Sequence, residues 1–181
     1  MWSLLVFGLL VVTESIYGRR TNRYSFSLSN ISCTYSAEIV EIDKCLLDQS
    51  DTVTFAGHLR KDIDKFNISI RLDMAKEKGS DMFTVFNIEN MDGCEFLSKD
   101  NKMNFVYLYK KMILDSNKLP TCPLRNGFKI NFERLKMDPN RFPYLPDTKF
   151  LIKTKFEVEK SGVTIKVTGN IQDLKKRRVS V

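Results

Sequence analysis

The stretch Phe66-Asn-Ile-Ser-Ile-Arg-Leu-Asp-Met74 alternates without a break, apolar at 66, 68, 70, 72 and 74 and polar between. A period of two predicts a β-strand with one face in a core and the other in water. Phe128-Lys-Ile-Asn-Phe-Glu133 repeats the pattern, as does Val163-Thr-Ile-Lys-Val167, which extends through Gly169 toward Ile171. Phe150 to Val158 reads as the partner of that last strand, with Glu159-Lys-Ser-Gly162 as the hairpin turn. Met82 to Asn90 is a further strand, apolar on both faces in its first half, and Lys76-Glu-Lys-Gly-Ser80 joins it to the Phe66 strand. Weaker strands cover about 24 to 35, 38 to 47 and 52 to 60. About eight strands at this spacing predict an all-β antiparallel sandwich rather than parallel βαβ units.

One segment breaks the alternation. Phe105, Leu108, Tyr109 and Met112 fall at i, i+3, i+4 and i+7, which predicts one α-helix over about 101–115. Lys110 and Lys111 lie off its apolar stripe in the second half, where cations suit the helix dipole. Ser116-Asn-Lys-Leu-Pro120 ends it, because proline cannot continue a helix.

The run from Leu4 to Val12 is too short to span a bilayer and fits the apolar region of a signal peptide. Thr13-Glu-Ser15 and Ile16-Tyr-Gly18 are both candidate cleavage sites, and a buried N-terminal strand or helix is the alternative reading. No later segment has the length of a transmembrane helix. The expected organisation is a signal peptide over 1–18, one sandwich domain over 19–172 and a basic tail over 173–181.

Secretion implies an oxidising compartment and paired cysteines. Cys33, Cys45, Cys94 and Cys122 allow three pairings. A Cys94–Cys122 bridge would close a loop around the predicted helix. Cys33 and Cys45 then pair across a hairpin that turns near Ala37 to Ile39. Two glycosylation sequons, Asn30-Ile-Ser32 and Asn67-Ile-Ser69, agree with secretion, and Asn67 lies on the wet face of its strand.

Lys and Arg number 29 against 22 Asp and Glu, a net charge of +7, and removing residues 1–18 takes away Glu14 alone. A positive surface serves solubility, or attraction to an anionic membrane, glycan or acidic partner. The bases are dispersed, which argues against nucleic acid. Lys175-Lys-Arg-Arg178 reads as a solvated tail, and it or Arg19-Arg20 as a basic processing site.

Catalytic constellations are scarce. His58 is the only histidine, in Ala-Gly-His-Leu without a flanking motif, and no Cys-x-x-Cys, phosphate loop or His-Glu-x-x-His occurs. Acid pairs such as Asp62/Asp64 and Glu157/Glu159 read as solvated faces. The expectation is a protein that is not an enzyme and has no metal or cofactor. What remains is apolar: two Phe-rich sheets that either pack on each other or stand apart around a hydrophobic ligand. Alternation serves both.

Asp92-Gly-Cys-Glu-Phe-Leu97, the helical segment, Ser116-Asn117, Leu119-Pro-Thr-Cys-Pro123 and Leu145-Pro146 resemble, in order, the signature of a large insect family. Its members are small secreted proteins of uncharacterised function, abundant in fruit flies. They are grouped with the ML lipid-recognition superfamily of sterol, lipid-A and glycolipid carriers. The resemblance covers roughly residues 24 to 158 and is poor from Gly162 onward. It implies an immunoglobulin-like (ML-type) antiparallel β-sandwich and a lipid, sterol or hydrocarbon ligand, in chemosensory (pheromone) or reproductive secretions.

The candidate ligand-binding residues are Phe66, Ile68, Ile70, Phe128, Ile130 and Phe132 between the sheets, with Phe105 and Leu108 of the helix near one end. Phe150, Ile152 and the strand from Val163 to Val167 would line the same space. The alternative is a secreted interaction module with a filled core, acting on a receptor, channel or glycan through its basic surface.

Overall fold

The computed structural model describes residues 23–49, 51–76, 81–98, 120–136 and 146–174. The predicted signal peptide, the predicted helix over 101–115 with Phe105 and Leu108, and the Lys175–Arg178 run lie outside the described residues.

Among the described residues eight strands form, close to the expected spans: β1 (Tyr24–Tyr35), β2 (Val40–Gln49), β3 (Thr52–Leu59), β4 (Asn67–Ala75), β5 (Met82–Asp92), β6 (Lys129–Lys136), β7 (Thr148–Val158) and β8 (Ser161–Asp173). They make two antiparallel sheets. One has the order β1-β8-β7-β4-β5 and the other β2-β3-β6. The architecture is an immunoglobulin-like β-sandwich, with one short helix, α1 (Gly93–Leu97), among the described residues.

The register explains which residues enter the sandwich. Ile68, Ile70 and Leu72 of β4 stand opposite Phe156, Thr154 and Ile152 of β7, which in turn stand opposite Val163, Ile165 and Val167 of β8. Directly opposed residues share a sheet face, so this set is the inner face of the larger sheet. The polar residues between them, such as Asn67, Ser69 and Arg71, take the outer face.

Register shifts modify this simple rule, and two of them fall at residues with positive φ. In β6, Val53 stands opposite Leu135 while Phe55 stands opposite Phe132, so β6 carries one extra residue. Arg134 absorbs it with φ 51°, and its N–H donates to the Thr54 hydroxyl at 3.2 Å. In β5, Asn90 has φ 52° at the corresponding irregularity, and its N–H donates to the Ser69 hydroxyl at 3.1 Å. A bulge changes strand parity. Leu135 therefore reaches the same interior as Ile130 and Phe132, although it breaks their even-numbered alternation.

The β7–β8 hairpin is tighter than its sequence suggests. Val158 pairs with Ser161, which leaves Glu159 and Lys160 as the loop, Glu159 at φ 56°. Gly162 is therefore a strand residue. A Cβ there would fall 1.9 Å from the Phe156 carbonyl oxygen, so close approach of two backbones requires glycine.

Both expected disulfides are present. Cys94–Cys122 has its Cα atoms 5.6 Å apart and Cys33–Cys45 6.3 Å apart. The expected reason for the second pairing is corrected. β1 and β2 do not form a hairpin in one sheet: β1 is an edge of the larger sheet and β2 an edge of the smaller one. Cys33–Cys45 fastens the two layers to each other.

Candidate functional site

Between the layers lies a cavity of about 220 Å³. The smaller sheet contributes Phe55, Ile130, Phe132 and Leu135 to its wall. From the larger sheet come Ile152, Thr154, Phe156, Val163, Ile165 and Val167. Among the described lining residues only Thr154 carries a polar side-chain atom, and no charged residue borders the space.

Burial shows where the layers stand apart. Ile68 and Ile70 of β4 are 1% exposed. Ile152, Phe156, Ile165 and Val167 point from the same inner face but are only half-buried. Inward-facing apolar side chains that keep accessible surface front an unfilled space rather than another layer of atoms. The space thus lies against β7 and β8, not against β4.

This sorts the expected binding residues. Phe66, Ile130 and Phe132 border the cavity. Ile68 and Ile70 do not: they are packed core, joined to Phe66, Phe96 and Val163 in one apolar cluster. Phe128 also lies off the wall, half-buried against the same cluster. Ile152 and the residues from Val163 to Val167 were expected to share the space, and Ile152, Val163, Ile165 and Val167 do border it, whereas Phe150 packs edge-on against Phe26, with ring centres 5.3 Å apart.

Part of the cavity wall is a cap that the alternation did not predict. Asp92 ends β5 and caps α1, accepting from the N–H groups of Cys94 at 2.8 Å and Glu95 at 3.0 Å. An aspartate at that position satisfies helix donors that have no partner within the helix, and Glu95 in the first turn suits the helix dipole. Cys94 is bonded to Cys122, which ties α1 to the segment after Pro120. That segment is held to the β3–β4 loop by two backbone hydrogen bonds between Ile63 and Leu124, at 2.8 and 2.9 Å. Ile63, Phe66, Phe96 and Leu124 are thereby brought together, all buried and all on the cavity wall.

A polar latch on the outside braces the same cap. Asp62 accepts from the Asn126 N–H at 2.7 Å and from the Arg125 guanidinium at 3.1 Å. These bonds, the Asn126 N–H first, hold the Asp62 carboxyl below its ordinary pKa.

His58 takes no part in the cavity. It lies on β3 beside Glu41 and Asp43, at 3.6 and 3.7 Å, with its side chain 37% exposed. Glu41 also pairs with Arg60, and that hydrogen bond is the main cause of its lowered pKa. Among the described residues no cluster of His, Cys, Asp or Glu is arranged to hold a metal ion. No helix among them is long and apolar enough to cross a membrane.

Asn30 and Asn67 are both exposed, on the two strands β1 and β4 of the larger sheet. Each pairs in register with a residue of the outer face, Thr168 and Glu157 respectively, so both sequons point away from the cavity.

Among solved structures, the chain is similar to chicken MD-1 in a crystal structure complexed with lipid IVa. Identity is 12%, the similarity covers 81% of this chain and 96% of that one, and the TM-score is 0.28. The architecture described above rests on this chain's own strand pairing and not on that overlap. No curated protein matches the chain. Residues 66–152 match the profile of a family described as "Protein of unknown function (DUF1091)", a span that takes in β4, β5, α1, β6 and part of β7.

Proposed function

We propose that the protein binds a small hydrophobic ligand between its two sheets. The observation that carries this reading is the cavity itself: about 220 Å³, walled by apolar side chains, with Thr154 as its only polar one among the described residues. An unfilled apolar space forgoes packing contacts, at a cost on the order of 24 cal/mol per Å³. A ligand that fills it restores those contacts. At the roughly 30 Å³ that a water or a methylene takes up, the space holds about seven carbons of a chain. It is smaller than the roughly 300 Å³ at which drug-sized pockets begin. A single apolar chain or a small hydrocarbon fits, and a polar head would remain outside.

Two disulfides and two exposed sequons suit a secreted carrier. Chemosensory or reproductive secretions are the setting that the family resemblance implies. The reading is one of binding, and the apolar lining supports it: among the described residues the Thr154 hydroxyl is the one polar side-chain group on the wall. The test is mass spectrometry of an organic extract of the natively purified, secreted protein, together with uptake of an apolar fluorophore. A stoichiometric lipid or hydrocarbon is expected. An empty extract and no fluorophore uptake would overturn the reading.

A second reading, a surface interaction module, is favoured by one observation. Lys153 and Lys166 are both exposed and stand directly opposite each other on the outer face of β7 and β8. Like charges in that position disfavour the strand pair and suit an anionic partner. Such a partner, a receptor, channel or glycan, would be lost at high salt and on Lys153→Glu, whereas ligand uptake by the cavity would be unchanged by either.

A further inference from the structure

Gly93 lies where a side chain would collide with the cavity wall. A Cβ at this position would sit 2.3, 2.5 and 2.6 Å from Cε2, Cδ2 and Cζ of the Phe66 ring. Ordinary carbon contacts are about 3.5–4.0 Å, so one of the two residues would have to move by more than about 1 Å.

The backbone of Gly93 is not free to move. Its N–H donates to the Phe66 carbonyl at 2.7 Å. The next two N–H groups are held by the Asp92 carboxylate at 2.8 and 3.0 Å. Cys94 is covalently fixed to Cys122. The Phe66 ring carries no polar group to anchor it and belongs to the apolar cluster that also holds Ile63, Phe96 and Leu124. Those neighbours are themselves buried and border the cavity, as Phe66 does. The free volume next to the ring is the cavity.

We propose that Gly93 determines ligand size: by presenting bare backbone to Phe66, it lets the ring withdraw from the cavity and sets the depth of the cap end. Any larger residue at 93 drives the ring inward and shortens the ligand that fits. The proposal rests on the cavity being a ligand site. It adds which residue governs the length of the apolar chain taken up.

The test uses the full secreted chain with n-alkanols of increasing length, the binding of each measured directly by isothermal titration calorimetry. Gly93→Ala, Phe66→Leu and the double variant are compared with the native protein. A ring displaced by more than about 1 Å removes the room for about one carbon, so Gly93→Ala should shift the preferred alcohol about one carbon shorter. The longest binders should weaken roughly fourfold for each carbon excluded. Phe66→Leu should shift the preference longer. The double variant should recover the long alcohols, because leucine lacks the ring atoms that clash.

An unchanged length preference in Gly93→Ala, or a double variant no better than Gly93→Ala, would overturn the proposal. If Gly93→Ala does not fold, an unchanged preference in Phe66→Leu overturns it instead. Xenon uptake, followed by NMR, separates this from failure of the ligand reading. A native protein that takes xenon but no alcohol or fluorophore has a cavity and no ligand site. Weaker xenon binding in Gly93→Ala than in the native protein would then still place the ring in the space, and equal binding would sink the Gly93 inference as well.

Discussion

Val167→Phe separates a ligand cavity from a packed core, because the two predict opposite signs. Val167 projects from the middle of β8 onto the cavity wall and is half-buried. Phenylalanine adds four carbons without adding hydrogens, which take the room of about two methylenes, roughly 60 Å³. That is about a quarter of the 220 Å³ space. Filling it should return contacts worth about 1.4 kcal/mol, at roughly 24 cal/mol per Å³ of cavity. The protein should therefore gain about 1 kcal/mol of stability, read as a higher urea midpoint at unchanged slope. Ligand binding should move the other way. Two methylenes denied burial cost about 1.6 kcal/mol, which is roughly a fifteenfold weaker dissociation constant. Calorimetric titration with an n-alkanol measures it. A loss of stability of about 1–3 kcal/mol, the range for overpacking, would mean that the space is not there. Unchanged affinity beside raised stability would mean that the ligand binds elsewhere.

Three other outcomes follow from named contacts. Replacing Cys33 and Cys45 together by serine opens a link across 12 residues that joins the two sheets, and in the chain-entropy model it should cost about 3 kcal/mol in urea unfolding at neutral pH. Asp62 has its carboxyl pKa lowered in the fold by the Asn126 N–H and Arg125, so it adds stability above the unfolded aspartate value of about 3.9 and loses it as pH falls through the lower folded value. Asp62→Asn should therefore be less stable than the native chain at neutral pH, and the difference should shrink with acidification below about pH 4; a constant difference down to pH 2 would contradict the latch. Asn30 and Asn67 should both carry glycans when the chain is secreted from eukaryotic cells. Glycosidase treatment and peptide mapping should find both sites modified, with ligand uptake unaffected because both face away from the cavity.

The strands were legible because alternation is a local property. Phe66 to Met74 places one side chain in and the next out whatever stands on the far side. The lateral order of strands, and what lies across the sandwich, was not local. Ile68 and Ile130 have the same pattern in sequence, yet Ile68 is core at 1% exposure and Ile130 borders the cavity. For the same reason Ile68→Arg would bury a charge in packed core and report on folding rather than on ligand binding. Cys33 and Cys45 read as hairpin partners from their spacing, whereas β1 and β2 leave each other for different sheets after Tyr35. Leu135 was hidden by a bulge whose left-handed residue is arginine, a residue type that gives no warning of positive φ. Asp92-Gly93 before Cys94 did carry a signal, an N-cap residue followed by glycine, but a five-residue helix is too short to show a period.

The cavity itself arises from two clusters that act as spacers. At the cap end, Ile63, Phe66, Phe96 and Leu124 fill the gap between the layers. At the other end, Tyr24, Leu28, Val53, Phe150 and Ile171 do the same. Between these props the walls of β7 and β8 carry Thr154, Ile165 and Val167, shorter than the aromatic side chains at the two ends. Shorter side chains cannot reach across a gap whose width is set by phenylalanines elsewhere, and interiors otherwise pack to crystal density. The unfilled volume is thus a consequence of where the bulky residues stand relative to the short ones across two sheets. Lengthening a middle residue closes it, as Val167→Phe should, and thinning a prop such as Phe66 deepens it. Both changes leave the alternation of every strand intact, which is why the pattern that writes the sandwich is silent about the space inside it.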